Sequence, residues 1–247
     1  MPLPILIRVV LVVKNGHSLP QSTCRHCTLH WIITLNRKSV NFLMDTSFHL
    51  VIVNGLTDTQ SDISPKSFFS ARFRQALIDE FFFFESSSTV EYSLDHRANL
   101  ILADLLRSRK SYEEKHREDS PLPLIFVGHD LGGALIKQAL LVATEKAWYR
   151  GIADRTLATL FFATPHRKFS ARAWEYQLFG LIAASSLPPP LLLRDIHILS
   201  EKLEDLSFAF LTISCVFDLV NFWQSDGDDR VVCLSLYQTI HKSLYRI

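Results

Sequence analysis

The strongest chemical signal in the chain is Gly128-His129-Asp130-Leu131-Gly132. An apolar run, Leu124–Val127, leads into it, and an amphipathic stretch, Gly132–Lys146, leads out. This reads as strand, sharp turn and helix. Glycines two residues either side of Asp130 let the turn close without colliding with its neighbours, so the central side chain projects above the end of a sheet. The helix that starts here favours an anion at its N-terminus. The Leu131 N–H would face a substrate oxygen that becomes negative during reaction. An aspartate is ionised near neutral pH, with an ordinary pKa of about 3.9, and needs no base to attack. Attack on an ester carbonyl gives a mixed anhydride that collapses back, because carboxylate leaves easily. Attack on saturated carbon gives an alkyl-enzyme ester, which a histidine-activated water hydrolyses.

The rest of the chain must build a scaffold for that turn. Apolar runs alternate with amphipathic stretches, the pattern of a mostly parallel sheet covered by helices on both faces. Strands are predicted at Ile5–Val13, Leu29–Leu35, His49–Val53, Phe81–Phe84, Leu124–Val127, Leu157–Phe162 and Ala209–Val216. The four consecutive phenylalanines read as a strand buried on both faces. Helices are predicted at Asp95–Arg107 and Gly132–Lys146, with apolar residues three and four apart. Arg107–Ser120 reads as a charged surface loop. Ser185–Leu193 holds Pro188, Pro189 and Pro190, so it divides two short helices.

The 247 residues are 48% hydrophobic and 21% charged with a net charge of +1, which excludes a disordered chain and argues against a nucleic-acid footprint. The longest apolar runs, about nine residues, are too short to span a bilayer. Met1–Val13 lacks a basic start and a small-residue cleavage site, so it reads as a strand rather than a signal peptide. Four cysteines form no disulfide framework, which points to a reducing, cytoplasmic compartment. Cys24, His26, Cys27 and His30 have metal-ligand types but no second pair, so free thiols are expected and no metal. No cofactor is expected. Only 8 residues are glycine, and Gly128, Gly132 and Gly133 fall within six positions, which marks one geometrically demanding turn. The length fits one domain over 1–247, with 1–47 supplying N-terminal strands.

The stretch IFVGHDLGGALIKQALLVA resembles the nucleophile elbow of the lipase/serine-esterase-like α/β-hydrolases common in fungi, usually FxGHSLGGLxxKQAL. That domain also occurs at the N-terminus of NACHT or NB-ARC receptor-like proteins. SSTVEYSLDHRANLILADL resembles the family's helix before the elbow strand, and LATLFFATPHRKFS its IxFLGTPHRGS segment. FAFLTISCVFDLVNFW resembles its late strand and IHKSLYRI its HSxICKF ending, so the resemblance runs from about residue 48 to the end. It implies an α/β-hydrolase fold. The chain departs from the pattern at several points. Asp130 stands where the family has serine, Gln224 where it has a late glutamate and Lys168 where a glycine follows TPHR. The early HGLGG loop corresponds to Asn54-Gly55-Leu56-Thr57-Asp58. Epoxide hydrolases and haloalkane dehalogenases of the same fold do carry Asp there, within G-H-D-W-G. Leu131 replaces that Trp, and its missing indole N–H disfavours dehalogenation.

In this fold the chain order is nucleophile, acid, histidine. The only histidine after His197 is His241, which is the base or else a surface residue near the C-terminus. The acid should follow the late strand, which selects Asp218; Asp226, Asp228 and Asp229 read as an exposed turn. The oxyanion donors would be the N–H groups of Leu131 and Leu56. His166 reads as a structural residue, and Tyr149 and Tyr176 form no clear pair for activating an epoxide. Three functions follow as expectations. One is a hydrolase of ester or lipid-like small molecules with Asp130 in the elbow. Another is an inactive pseudoenzyme used for interaction or signalling, with a protein partner. The third is an epoxide-hydrolase-like enzyme with an Asp nucleophile.

Overall fold

The structure, a computed structural model, describes residues 10–11, 33–34, 47–56, 65–83, 93–116, 122–166, 170–184, 193–224 and 231–235. The strands are β1 (Val10–Leu11), β2 (Ile33–Thr34), β3 (His49–Asn54), β4 (Leu77–Phe82), β5 (Leu124–His129), β6 (Thr156–Phe162), β7 (Asp218–Gln224) and β8 (Val231–Ser235). The helices are α1 (Pro65–Arg72), α2 (Leu94–His116), α3 (Gly132–Glu145), α4 (Arg150–Arg155), α5 (Ala171–Ala184) and α6 (Leu193–Ile213). Six strands form one sheet in the order β4-β3-β5-β6-β7-β8. The first five are mutually parallel, and β8 closes the edge antiparallel to β7. The chain is therefore of the α/β class. The short strands β1 and β2 pair antiparallel by themselves.

Alternation along the strands sorts side chains to two faces. Val51, Val53, Leu124, Phe126, Phe161 and Leu219 face one core, which α2, α3, α4, α5 and α6 cover with residues such as Leu102, Leu135, Ile152, Leu178 and Leu203. Leu50, Ile52, Ile125, Val127, Leu160 and Phe222 face the other, where α1 contributes Phe69. Helices therefore lie on both faces, unequally among the described residues. β3 and β5 are almost wholly buried, as expected of central parallel strands.

Several expectations need correction. Ala209–Val216 is not a strand: it ends α6 and continues into a 3₁₀ turn at Ser214–Val216. A short apolar run has no period that separates a strand from a buried helix end. In α6 the buried Ile196, Leu199, Leu203, Leu206 and Phe210 carry the helical spacing through that run. The late strand starts only at Asp218. The charged segment from Arg107 is helical as far as His116, because nothing in it breaks the helix and Lys110 stands one turn before Glu114. The phenylalanine strand lies at Leu77–Phe82, at the sheet edge, with Phe81 and Phe82 only half buried. Phe84 and residues 185–192 lie outside the described residues, as does most of the expected pair Ile5–Val13 and Leu29–Leu35. None of the described helices is long and apolar enough to cross a membrane.

Candidate active site at the elbow

The turn after β5 forms as its residues require. Asp130 has φ 52°, in the left-handed region, one of two such non-glycine residues described. That conformation costs on the order of 1–2 kcal/mol for a residue with a Cβ. It is held by the Asp130 N–H donating to Phe162 O at 2.9 Å and by Gly133 N–H donating to Asp130 O at 3.2 Å. The helix α3 starts at Gly132, which lies against β3: a Cβ there would sit 2.0 Å from Val53 O. The flanking glycine is thus demanded by close approach to the neighbouring strand, not by the helix.

Register places the elbow in the middle of the sheet. Val53 lies beside Gly128, and Phe161 lies on the other side of it. Asn54 ends β3 and hands the chain to Gly55 and Leu56, level with the turn. Of the two expected oxyanion donors, Leu56 N–H donates to the Asp130 carboxylate itself, at Oδ2 and 3.0 Å. The Leu131 N–H, on the next residue, helps pull the carboxyl's pKa down. Gly55 is required for this contact, since a Cβ on it would lie 2.6 Å from both Asp130 Cβ and Oδ2.

The other oxygen, Oδ1, is buried and has no hydrogen-bond partner among the described residues. The whole residue is 2% exposed. Burial pushes its carboxyl up to about 6, while the N–H groups of Leu56 and Leu131 pull it down. At pH 7 the group is therefore mainly ionised, with Oδ2 hydrogen-bonded and Oδ1 buried without a described partner.

The remaining expected residues divide clearly. Asp218 opens β7 beside Ala158, which pairs through β6 with Ile125. It is exposed and three strand positions below the level of Gly128, about 10 Å at 3.3 Å per residue. The structure does not bring it to Asp130. The misplacement follows directly from reading the end of α6 as the strand. The end of β7 on the elbow's side of the sheet carries Gln224, the position matched to the family's glutamate. His241, Asp226, Asp228 and Asp229 lie outside the described residues, as do Cys24, His26, Cys27 and His30.

Two histidines flank the site, and both are weak bases. Burial pushes His129 down to about 4. His166 is pushed down to about 3 by burial and by the nearby Lys137, against a hydrogen bond with Asn221. Tyr149 donates to Asn99 O at 3.5 Å beyond the far end of α3, and Tyr176 is exposed beside Arg172, so neither faces the elbow. No group of three metal-ligating side chains occurs among the described residues.

Sequence reasoning missed Lys137 and the Phe162–His166 segment as parts of this region. The signal for Lys137 was present: a lone lysine inside a helix whose other faces are apolar. No protein-family model and no curated protein matches this chain.

Proposed function

We propose that the chain is a hydrolase of the α/β-hydrolase type whose nucleophile is Asp130 and whose substrate carries an electrophilic saturated carbon, as in an epoxide. The observation that carries this reading is the unequal treatment of the two carboxylate oxygens. Oδ2 accepts the Leu56 N–H at 3.0 Å, and Oδ1 is buried without a partner among the described residues. Oδ1 attacks the carbon, the C–O bond of the strained ring breaks, and the alkoxide takes a proton from solvent water. The product is an ester of Asp130 whose carbonyl oxygen is Oδ2. Water then attacks Cγ, and negative charge develops on Oδ2, where the Leu56 N–H already donates; the Cγ–Oδ1 bond breaks, the diol leaves with Oδ1, and the carboxyl group returns a proton to solvent. In this scheme His241 activates that water. The Leu56 N–H cannot also receive an ester substrate's carbonyl oxygen while the carboxylate occupies it. That weighs against ordinary esterase or lipase chemistry.

Single-turnover hydrolysis of an aryl epoxide in ¹⁸O-water tests the scheme. Label should enter Asp130 in the first turnover and reach the diol in the next. Turnover with label going straight to the diol would defeat the covalent scheme. A second reading, an inactive domain retained for interaction, is favoured by the near-complete burial of the carboxylate. No turnover and no label across a panel of epoxides would favour it.

A further inference from the structure

Lys137 lies in the second turn of α3 and is 3% exposed. A buried ammonium is ordinarily paired with a carboxylate. Among the described residues Lys137 has no such partner. Its Nζ donates to Pro165 O at 3.4 Å and stands over the rings of Phe161 at 5.5 Å and Phe210 at 5.9 Å. Burial pushes it down to about 7.

The segment it grips, Phe162–His166, forms the wall of the elbow. Phe162 O accepts the Asp130 N–H at 2.9 Å, and Ala163, at φ 50°, donates its N–H to Phe222 O at 2.9 Å. Thr164 lies over Gly133, where a Cβ would come 2.2 Å from Thr164 Oγ1. The same hydroxyl reaches Gly128 O at 3.5 Å. His166 sets its ring edge-on to Phe161, 5.0 Å between centroids. Residues 162 to 165 thus touch 128, 130, 133 and 137 of the strand–turn–helix unit.

We propose that Lys137 is a positioning residue, which clamps the Phe162–His166 segment onto α3 and so fixes the backbone of Asp130 in its attacking conformation. This rests on Asp130 being the nucleophile. The clamp works through a charge-assisted hydrogen bond and two ring faces, both of which weaken when the amine loses its proton. The groups facing the amine are His166 from the loop, Phe161 from β6 and Phe210 from α6. His166 stays neutral above pH 6 and Asp130 is mainly ionised by pH 7, so above pH 7 the lysine is the group that changes.

Amide hydrogen exchange provides a test that needs no turnover. The protection factor of the Asp130 amide, corrected for the intrinsic rate, should fall about tenfold between pH 6.5 and 9 in the unaltered chain. In Lys137→Met, which keeps the length and loses the charge, it should already be low and independent of pH. A parallel ¹³Cε titration should place Lys137 about three pH units below the exposed lysines. Asp130 protection that is flat with pH in the unaltered chain overturns the clamp, and this holds even if Lys137→Met fails to fold. A Lys137 that titrates with the exposed lysines does the same. In the epoxide assay, Lys137→Met should lower kcat, leave KM unchanged and remove the alkaline fall in rate. A pH-dependent Asp130 amide without any turnover would leave the clamp standing and count against the hydrolase reading alone.

Discussion

Replacing Asp130 by asparagine should stabilise the folded chain at neutral pH. Burial holds the Asp130 carboxyl at about 6 against an ordinary value of 3.8. Keeping it ionised at pH 7 therefore costs about 3 kcal/mol. Asparagine retains a carbonyl oxygen for the Leu56 N–H, and it tolerates positive φ about as well as aspartate. Its NH₂ falls where Oδ1 now has no partner, and an unpaired buried amide costs about 1–2 kcal/mol. The net expected gain is about 1–2 kcal/mol at pH 7. The gain has a direction in pH. The folded state binds the Asp130 proton more tightly than the unfolded state, so the unaltered chain gains stability as pH falls from 7 through 6 towards 4. Asp130→Asn lacks that group, and its advantage should vanish by pH 4. Urea unfolding of both proteins at pH 7 and pH 4, compared as a difference, removes every other titrating group. A variant less stable than the parent at pH 7, or a difference that does not change with pH, would refute the reasoning.

Two further substitutions probe the geometry that holds Asp130. Gly132→Ala sets a Cβ 2.0 Å from Val53 O, so α3 or β3 must move. A loss of about 3 kcal/mol in urea unfolding is expected, and an unchanged midpoint would show that the approach of α3 to β3 is looser than described. Ala163→Gly removes the strain of φ 50° at an exposed residue with no side-chain packing to lose. It should add about 1 kcal/mol of stability, read as a higher urea midpoint, with a lower midpoint contradicting the strain.

The elbow was legible in the sequence because independent local signals agreed there. An apolar run too short for a helix met paired glycines and then a helical spacing, and α3 begins at Gly132 as that spacing requires. Legibility failed where one signal had to serve two structures. The apolar run at 209–216 satisfies both a strand and the buried end of α6, and only the longer spacing from Ile196 decides between them. That error carried Asp218 into the acid position. The role of Leu56 shows a different limit. Its place beside the turn follows from the adjacency of β3 and β5, but its actual acceptor, Asp130 Oδ2, is a side chain 74 residues away in sequence. No local pattern specifies such a pairing.

An aspartate in such a turn differs from a serine by more than its strength as a nucleophile. A serine hydroxyl is short, and it leaves the two N–H groups of a hydrolase elbow open to the substrate's carbonyl oxygen. The Asp130 carboxylate is one atom longer, branched and charged, and here its Oδ2 takes the Leu56 N–H itself. A hydrogen bond from a backbone N–H to an ionised oxygen is among the stronger that a protein makes. A neutral ester carbonyl would have to displace it, leaving Oδ2 as well as Oδ1 without a described partner. In the proposed reaction at saturated carbon no such displacement is needed, because Oδ1 is the attacking atom and the charge that later develops forms on Oδ2, where the Leu56 N–H already lies. The proposed substrate class therefore rests on which oxygen of Asp130 is held.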